Sequence, residues 1–316
     1  MRRSIMTKLL DVQNLHVTFR KKYGKDFHAI KGVDLSIHKN ETIGIVGESG
    51  SGKSVTATSI MGLLPDKAKI EADVMSFKDN NLSALNQKDY HRIRGDQISM
   101  IFQDPLTTLN PVFTIEEQIV ETILAHQKKT KKEAKQMAID ILERVGIKNA
   151  ENRIKLYPHE FSGGMRQRVM IAIALVCKPE LLIADEPTTA LDVTVQKQIL
   201  DLLKELQEEV ETSIIMITHD LGVIWETCDA VIVMFKGHVV ETGSVFQIYD
   251  NPVHPYTKGL LQSQINEFTV SNEALNTIQY GRFVEDMASE EKLEMHEVEP
   301  GHMVANFTKE DGTRAW

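Results

Sequence analysis

Hydrophobic positions along this chain follow three rhythms, and each predicts a different kind of element. Continuous apolar runs occupy 43–46, 98–102, 181–184, 214–218 and 230–235. Strands covered on both faces read this way, so these runs predict a central, largely parallel sheet. Nearer the start, Leu15-His16-Val17-Thr18-Phe19 and Val33-Asp34-Leu35-Ser36-Ile37 alternate apolar with polar residues. That period of two predicts a small antiparallel sheet. From about 104 to 160 the spacing turns helical. The clearest helix there opens on a capping box, Thr130 with Glu133, carries Ala134, Met137, Ala138, Ile141, Leu142 and Val145 on one stripe, and stops at Gly146. The stripe is read as core packing. The expected fold class is α/β.

Composition narrows the possibilities without naming a chemistry. At 316 residues, 42% hydrophobic and 26% charged, the chain can bury one ample core plus a smaller appendage. A formal net charge of −9 argues against a protein that coats nucleic acid, which needs a basic footprint. Cys177 and Cys228 are the only cysteines, at a spacing that suggests neither a disulfide framework nor a metal site. No apolar run reaches the roughly 18 residues of a membrane span. The opening Met1-Arg2-Arg3-Ser4-Ile5-Met6-Thr7-Lys8 has charge but no apolar core of a signal peptide. A cytoplasmic protein is expected, with any membrane attachment made through partners.

Candidate chemistry begins at Gly47-Glu48-Ser49-Gly50-Ser51-Gly52-Lys53-Ser54. Glycines at the bends let backbone N–H groups converge on phosphate oxygens, Lys53 adds a point charge, and Ser54 offers a hydroxyl to Mg²⁺. The apolar run before it predicts a strand, loop, helix context. A second strand, Leu181-Leu182-Ile183-Ala184-Asp185-Glu186-Pro187, ends in two acids. Adjacent strand residues point to opposite faces, so Asp185 is expected to hold the Mg²⁺ shell and Glu186 to orient and deprotonate an attacking water. A plainer alternative makes these acids caps of the helix starting near Thr194, for which Asp192 is the better candidate. Between the two elements lies Phe161-Ser162-Gly163-Gly164-Met165-Arg166-Gln167-Arg168. A serine and two glycines opening a helix make a second anion site from orphan N–H groups.

From about residue 9 to residue 262 these motifs resemble the nucleotide-binding subunit of an ATP-binding-cassette (ABC) transporter. The resemblance implies a P-loop cassette: a RecA-like parallel sheet core, a small antiparallel β subdomain, an inserted helical subdomain at about 104–160, and a small C-terminal extension. It implies that Ser162, Gly163 and Gly164 form the signature motif, which caps the γ-phosphate held by a partner's loop. Phe161 stands where the family usually has leucine. The resemblance also makes Gln103 a sensor of Mg²⁺ and water that faces the membrane subunits, Ala190-Leu191-Asp192 a loop crossing the dimer interface, and His219 a switch on the γ-phosphate. Tyr23 is expected to stack on adenine, with Phe27 and Phe19 as rivals and a solvated hairpin tip as the plain alternative.

Past the cassette, Asn251-Pro252-Val253-His254-Pro255-Tyr256-Thr257-Lys258-Gly259-Leu260-Leu261 resembles the importer subfamily that moves oligopeptides, dipeptides and nickel. Locally it reads as a proline-marked turn entering a helix. The expected organisation is a nucleotide-binding domain over 1–250 and an extension over 251–316. Many members of the subfamily bind an iron–sulfur centre through a cysteine cluster in this extension. No cysteine follows Cys228, so no iron–sulfur cluster is expected. His296 and His302 lack a third ligand that would make them a metal pair.

The resemblance then implies an ATPase, using ATP and Mg²⁺, that drives peptide uptake. Its implied partners are a second, different cassette chain, two transmembrane permease subunits and an extracytoplasmic substrate-binding protein, with no nucleic acid. Its implied location is the cytoplasmic face of the membrane. Import of nickel or another small solute is the alternative within the class. A soluble cassette ATPase acting on ribosomes or DNA is the alternative outside it, disfavoured because such proteins usually fuse two cassettes or carry a long coiled coil. A scaffold that binds ATP without turnover would lack Glu186 or His219.

Overall fold

The computed structural model describes residues 8–188, 191, 193–268, 292–308 and 314–315. The chain forms two compact units, one from Met1–Ala84 with Ile217–Trp316 and one from Leu85–Met216.

In the first unit β1 (Lys8–Phe19) and β2 (Phe27–His38) pair antiparallel, with Leu15 opposite Val33 and Val17 opposite Ile30. Leu15, Val17, Val33, Leu35 and Ile37 are buried while His16, Asp34 and Ser36 between them are more open, as the alternation predicts. After β3 (Thr42–Val46) and α1 (Lys53–Ile60), the short strands β4 (Ala68–Glu71), β5 (Val74–Phe77) and β6 (Asn80–Asn81) extend this sheet, with β4 and β5 pairing on β1.

The second unit opens with α2 (Gln87–Ile93) and β7 (Ile98–Ile101), then runs through α3 (Pro105–Thr108), α4 (Ile115–His126), α5 (Lys131–Arg144), α6 (Ala150–Arg153) and α7 (Gly163–Leu175). The capping box at Thr130 forms as read. The Glu133 N–H donates to the threonine hydroxyl at 3.3 Å, and the Thr130 N–H donates to the Glu133 carboxylate at 2.8 Å. Ala134, Ala138, Ile141 and Leu142 are buried on one face, so the stripe is core. α4 carries a second capping box, Thr114 with Glu117. β8 (Leu181–Asp185) pairs in parallel with β7, α8 (Val193–Val210) buries Ile199, Leu203 and Leu206 on one side, and β9 (Ser213–Ile217) lies on the other side of β8.

Returning to the first unit, α9 (Leu221–Thr227) leads to β10 (Ala230–Phe235), which pairs in parallel with β3. The strand β11 (His238–Ser244) turns back antiparallel on β10. Beyond α10 (Val245–Asp250), Pro255 begins α11 (Pro255–Phe268), so the proline-marked turn does enter a helix, with the ring at a position that needs no N–H. Among the described residues the chain's later part adds strands that the sequence patterning did not predict, among them β12 (Met295–Glu299) and β13 (His302–Ala305), with β12 pairing antiparallel on β13 and β13 on β11.

His254 lies fully buried just before α11. Burial pushes its imidazole down from 6.5 to about 3. Between those values the unfolded chain binds a proton here that the folded chain refuses, so this residue makes stability fall as pH drops from about 6.5 toward about 3. Urea midpoints measured across that range are expected to decline toward acid, and His254→Gln is expected to flatten the decline. An unaltered slope in the variant would remove His254 as its source.

Candidate functional site

β3 is buried at all five positions and delivers the chain into a turn that ends where α1 begins at Lys53. The strand, loop, helix context is therefore as expected. The Ser51 N–H closes the turn on the Glu48 carbonyl at 3.1 Å, and the Ser51 carbonyl accepts the Gly237 N–H at 2.9 Å. Ser49 and Gly50 stand exposed at the crest, Ser51 is buried, and Ser54 is exposed on the first turn of α1. Two glycines are demanded by geometry. A Cβ on Gly47 would lie 2.1 Å from the Met234 carbonyl oxygen, and Gly52 combines φ +110 with a Cβ position 2.5 Å from Ile30 Cδ1. Lys53 is only 5% exposed, and its ammonium donates to the carbonyls of Gly47 at 2.7 Å and Glu48 at 3.1 Å. A loop with its cation folded against it and glycines where side chains do not fit suits a polyphosphate.

One further hydrogen bond to this loop was not anticipated from sequence. The Glu48 N–H donates to the phenol oxygen of Tyr256 at 2.9 Å. The motif around Tyr256 was conspicuous in the sequence, but nothing local says that its hydroxyl reaches a segment 208 positions earlier in the chain.

His219 is exposed and directly follows Thr218, whose N–H donates to the Ile45 carbonyl at 3.2 Å. This bond sets the histidine at the end of β3 from which the loop emerges. Asp220 holds the next helix by accepting from the N–H groups of Gly222 and Val223, which fixes the backbone on the other side of His219. Tyr23 sits in the connection between β1 and β2 and is 83% exposed, Phe27 is 54% exposed, and Phe19 lies opposite Phe27 in the register.

In the second unit, Asp185 ends β8 and is 6% exposed, and Glu186 follows with φ +48. A glutamate in the left-handed region costs about 1–2 kcal/mol, and such strain recurs where a side chain is aimed for chemistry. Parallel register explains what it reaches. Ile101 lies opposite Ala184, so Gln103 and Glu186, each two residues further on, come level. The Gln103 amide donates to the Glu186 carboxylate at 2.9 Å. Nothing in the sequence announced the backbone conformation of Glu186.

Ser162 caps α7, its hydroxyl accepting the Met165 N–H at 3.4 Å. Ser162 and Gly163 are exposed at the helix start, with open space around Gly163, while Phe161 is buried at 3% exposure. The departure from leucine at this position is thus taken up in packing. Arg166 bonds the Pro158 carbonyl at 2.7 Å and Arg168 the Val145 carbonyl at 2.7 Å, which pin the turn before the helix and the end of the α5 segment. Asp192 and Ala190 lie outside the described residues.

Burial raises the thiols of Cys177 and Cys228 to about 11 and about 12, so both stay protonated and chemically quiet. His302 pairs with a buried glutamate, Glu241, at 2.8 Å. Among the described residues no group of His, Cys, Asp and Glu is arranged to hold a metal ion on its own. No described helix is long and apolar enough to cross a membrane.

Comparison with known proteins agrees with these motifs. A family described as ABC transporter matches residues 30–189. The dipeptide transport ATP-binding protein DppD of Bacillus subtilis (strain 168) is 53% identical over 259 residues, which are 82% of this chain and 77% of that protein. The oligopeptide transport ATP-binding protein AppD of the same organism is 54% identical over 259 residues, covering 82% and 79%. Among solved structures, the ATP-binding cassette MJ0796, a dimer in a post-hydrolysis state bound to ADP and Pi, is 28% identical with a TM-score of 0.65, covering 75% of this chain and 98% of that one.

Proposed function

This chain belongs to the ABC transporter family, and from that premise we propose that it is the ATP-hydrolysing subunit of an importer that takes up oligopeptides or dipeptides through separate permease subunits. The hydrolytic part of this reading is carried by one observation, the 2.9 Å hydrogen bond from Gln103 to a Glu186 carboxylate held at positive φ. The cargo follows the peptide-transport relatives, which match more than four-fifths of the chain at about half identity.

In the proposed mechanism the loop from Gly47 to Ser54 grips the β- and γ-phosphates of ATP by backbone N–H groups, and the Lys53 ammonium adds a positive charge to the phosphate oxygens. Ser54, Gln103 and Asp185 supply hydroxyl, amide and carboxylate oxygens, a donor set suited to Mg²⁺, which when bound neutralises phosphate charge. Glu186 orients the attacking water and accepts its proton, and the Gln103 amide holds the carboxylate in the orientation needed. His219 donates to the γ-phosphate. Ser162, Gly163 and Gly164 at the start of α7 close on the γ-phosphate held by a second cassette, and Asp192 lies on the loop that crosses the dimer interface. Tyr23 stacks on adenine.

The proposed organisation is a nucleotide-binding domain over 1–250, with its helical part at about 104–160, and an extension over 251–316. The segment just after Gln103 exposes Leu106, Val112 and Phe113 at 65%, 72% and 45%. Exposed apolar side chains beside a residue that touches the catalytic carboxylate suit a permease-facing surface, through which closure of the cassettes moves the membrane helices. The proposed assembly has a second, different cassette, two permease chains and an extracytoplasmic receptor, and lies at the cytoplasmic face.

Isolation of the tagged chain from its native membranes in mild detergent, followed by mass spectrometry, tests the assembly. Two polytopic permease chains and a second cassette are expected. Recovery of ribosomal or DNA-bound proteins without a membrane protein would overturn it.

A further inference from the structure

The phosphate loop is tied to the C-terminal strands by an unbroken chain of buried groups within one unit. The Glu48 N–H meets the Tyr256 hydroxyl at 2.9 Å, and the Tyr256 N–H donates to His254 Nδ1 at 3.1 Å. The His254 N–H donates to Glu241 Oε2 at 3.0 Å, and Glu241 Oε1 accepts both the Val253 N–H and the His302 imidazole at 2.8 Å. Tyr256, His254, Glu241 and His302 are all fully buried, at 0% exposure. A buried carboxylate is costly unless its oxygens are satisfied, and here three donors from two separate parts of the chain converge on it. Glu241 therefore does more than fill space, because it fastens both the turn before α11 and the β13 strand to β11.

The contact at the loop is specific to one peptide plane. The peptide between Gly47 and Glu48 has its carbonyl held by the Lys53 ammonium at 2.7 Å and its N–H held by Tyr256. Gly47 also lies against the Met234 carbonyl, and the next residue, Phe235, packs its ring on Tyr256 with centroids 4.3 Å apart. The plane cannot rotate without breaking one of these bonds. An apolar ring bed with a single hydroxyl aimed at a backbone donor is what a brace for loop geometry requires.

We propose that Tyr256 is a positioning residue for the phosphate loop, and that His254, Glu241 and His302 form the relay through which the C-terminal strands set that loop's affinity for nucleotide. This rests on the reading of residues 47–54 as the ATP-binding loop. Preorganisation of the loop lowers the ordering cost of binding, so loss of the brace acts on ATP affinity and leaves the step at Glu186 unaltered.

The test uses the full chain, Mg²⁺ and a fluorescent ATP analogue. Tyr256→Phe keeps the ring and its contact with Phe235 and removes only the hydroxyl. It is expected to weaken nucleotide binding about 3- to 10-fold, the worth of one ordinary hydrogen bond. In the assembled complex the KM for ATP should rise by a similar factor, with kcat at saturating ATP and the thermal midpoint close to those of the parent. Glu241→Gln is expected to weaken binding as well, and the double variant to lose less than the product of the two single losses, since both act through one chain of contacts. Parent-like affinity in Tyr256→Phe, or strictly multiplicative losses in the double variant, would overturn the inference and leave the ATPase reading standing. A parent chain that does not bind nucleotide at all would instead sink both.

Discussion

Glu186→Gln is expected to lower ATP hydrolysis in the assembled complex by about 10²- to 10⁴-fold, the usual worth of a positioned general base, while ATP binding stays within about twofold of the parent. The substitution isolates one property. Glutamine has the volume and shape of glutamate and meets the same backbone demand at φ +48, so the loop after β8 has no new reason to move. The amide still offers an oxygen to the Gln103 amide 2.9 Å away. What it lacks is a lone pair basic enough to take a proton from water. Nucleotide is therefore gripped but not cleaved, and closed cassette pairs should accumulate on ATP, visible by size-exclusion chromatography. Unaltered turnover would remove Glu186 from the role of base.

Lys53→Ala is expected to act one step earlier, on binding. Its side chain is nearly buried and its ammonium donates to the carbonyls of Gly47 and Glu48. Charge-assisted hydrogen bonds of this type contribute about 1.5–3 kcal/mol each, so removing the cation should weaken ATP binding by roughly 10- to 150-fold. Titration with a fluorescent ATP analogue reads the loss directly. Lys53→Arg is not expected to restore affinity, because the planar guanidinium does not fit where a compact ammonium folds back between two carbonyls. Normal affinity in the alanine variant would refute the loop as the nucleotide site. The two variants thus separate grip from cleavage, and an effect of Glu186→Gln on binding alone would be as damaging to the mechanism as no effect.

The elements that were legible in the sequence share one physical cause. The runs at 43–46, 181–184 and 230–235, buried throughout except for the half-buried Ala230, became β3, β8 and β10 with boundaries within a residue of the pattern. Burial on both faces writes itself into consecutive side chains, and so does a capping box such as Thr130 with Glu133, where donors and acceptors are three residues apart. The strand, turn and helix around residues 47–54 and the helix that opens after Ser162 were legible for the same reason, since each is set by contiguous residues. By contrast β12 and β13 alternate weakly, and the pairing that joins them to the sheet is made by β13 alone, on β11 some sixty positions earlier, which no local pattern marked.

By itself the sequence determined the α/β class, the strand, turn and helix around residues 47–54, and the family, because each depends on residues adjacent in the chain or repeating at a fixed period. Only the tertiary structure decided that Gln103 bonds Glu186, that Glu186 sits at positive φ, and that the Tyr256 hydroxyl accepts the Glu48 N–H. These depend on strand register and on the meeting of segments far apart in the chain. A hydroxyl and a backbone N–H carry no mark of each other until the intervening residues have packed.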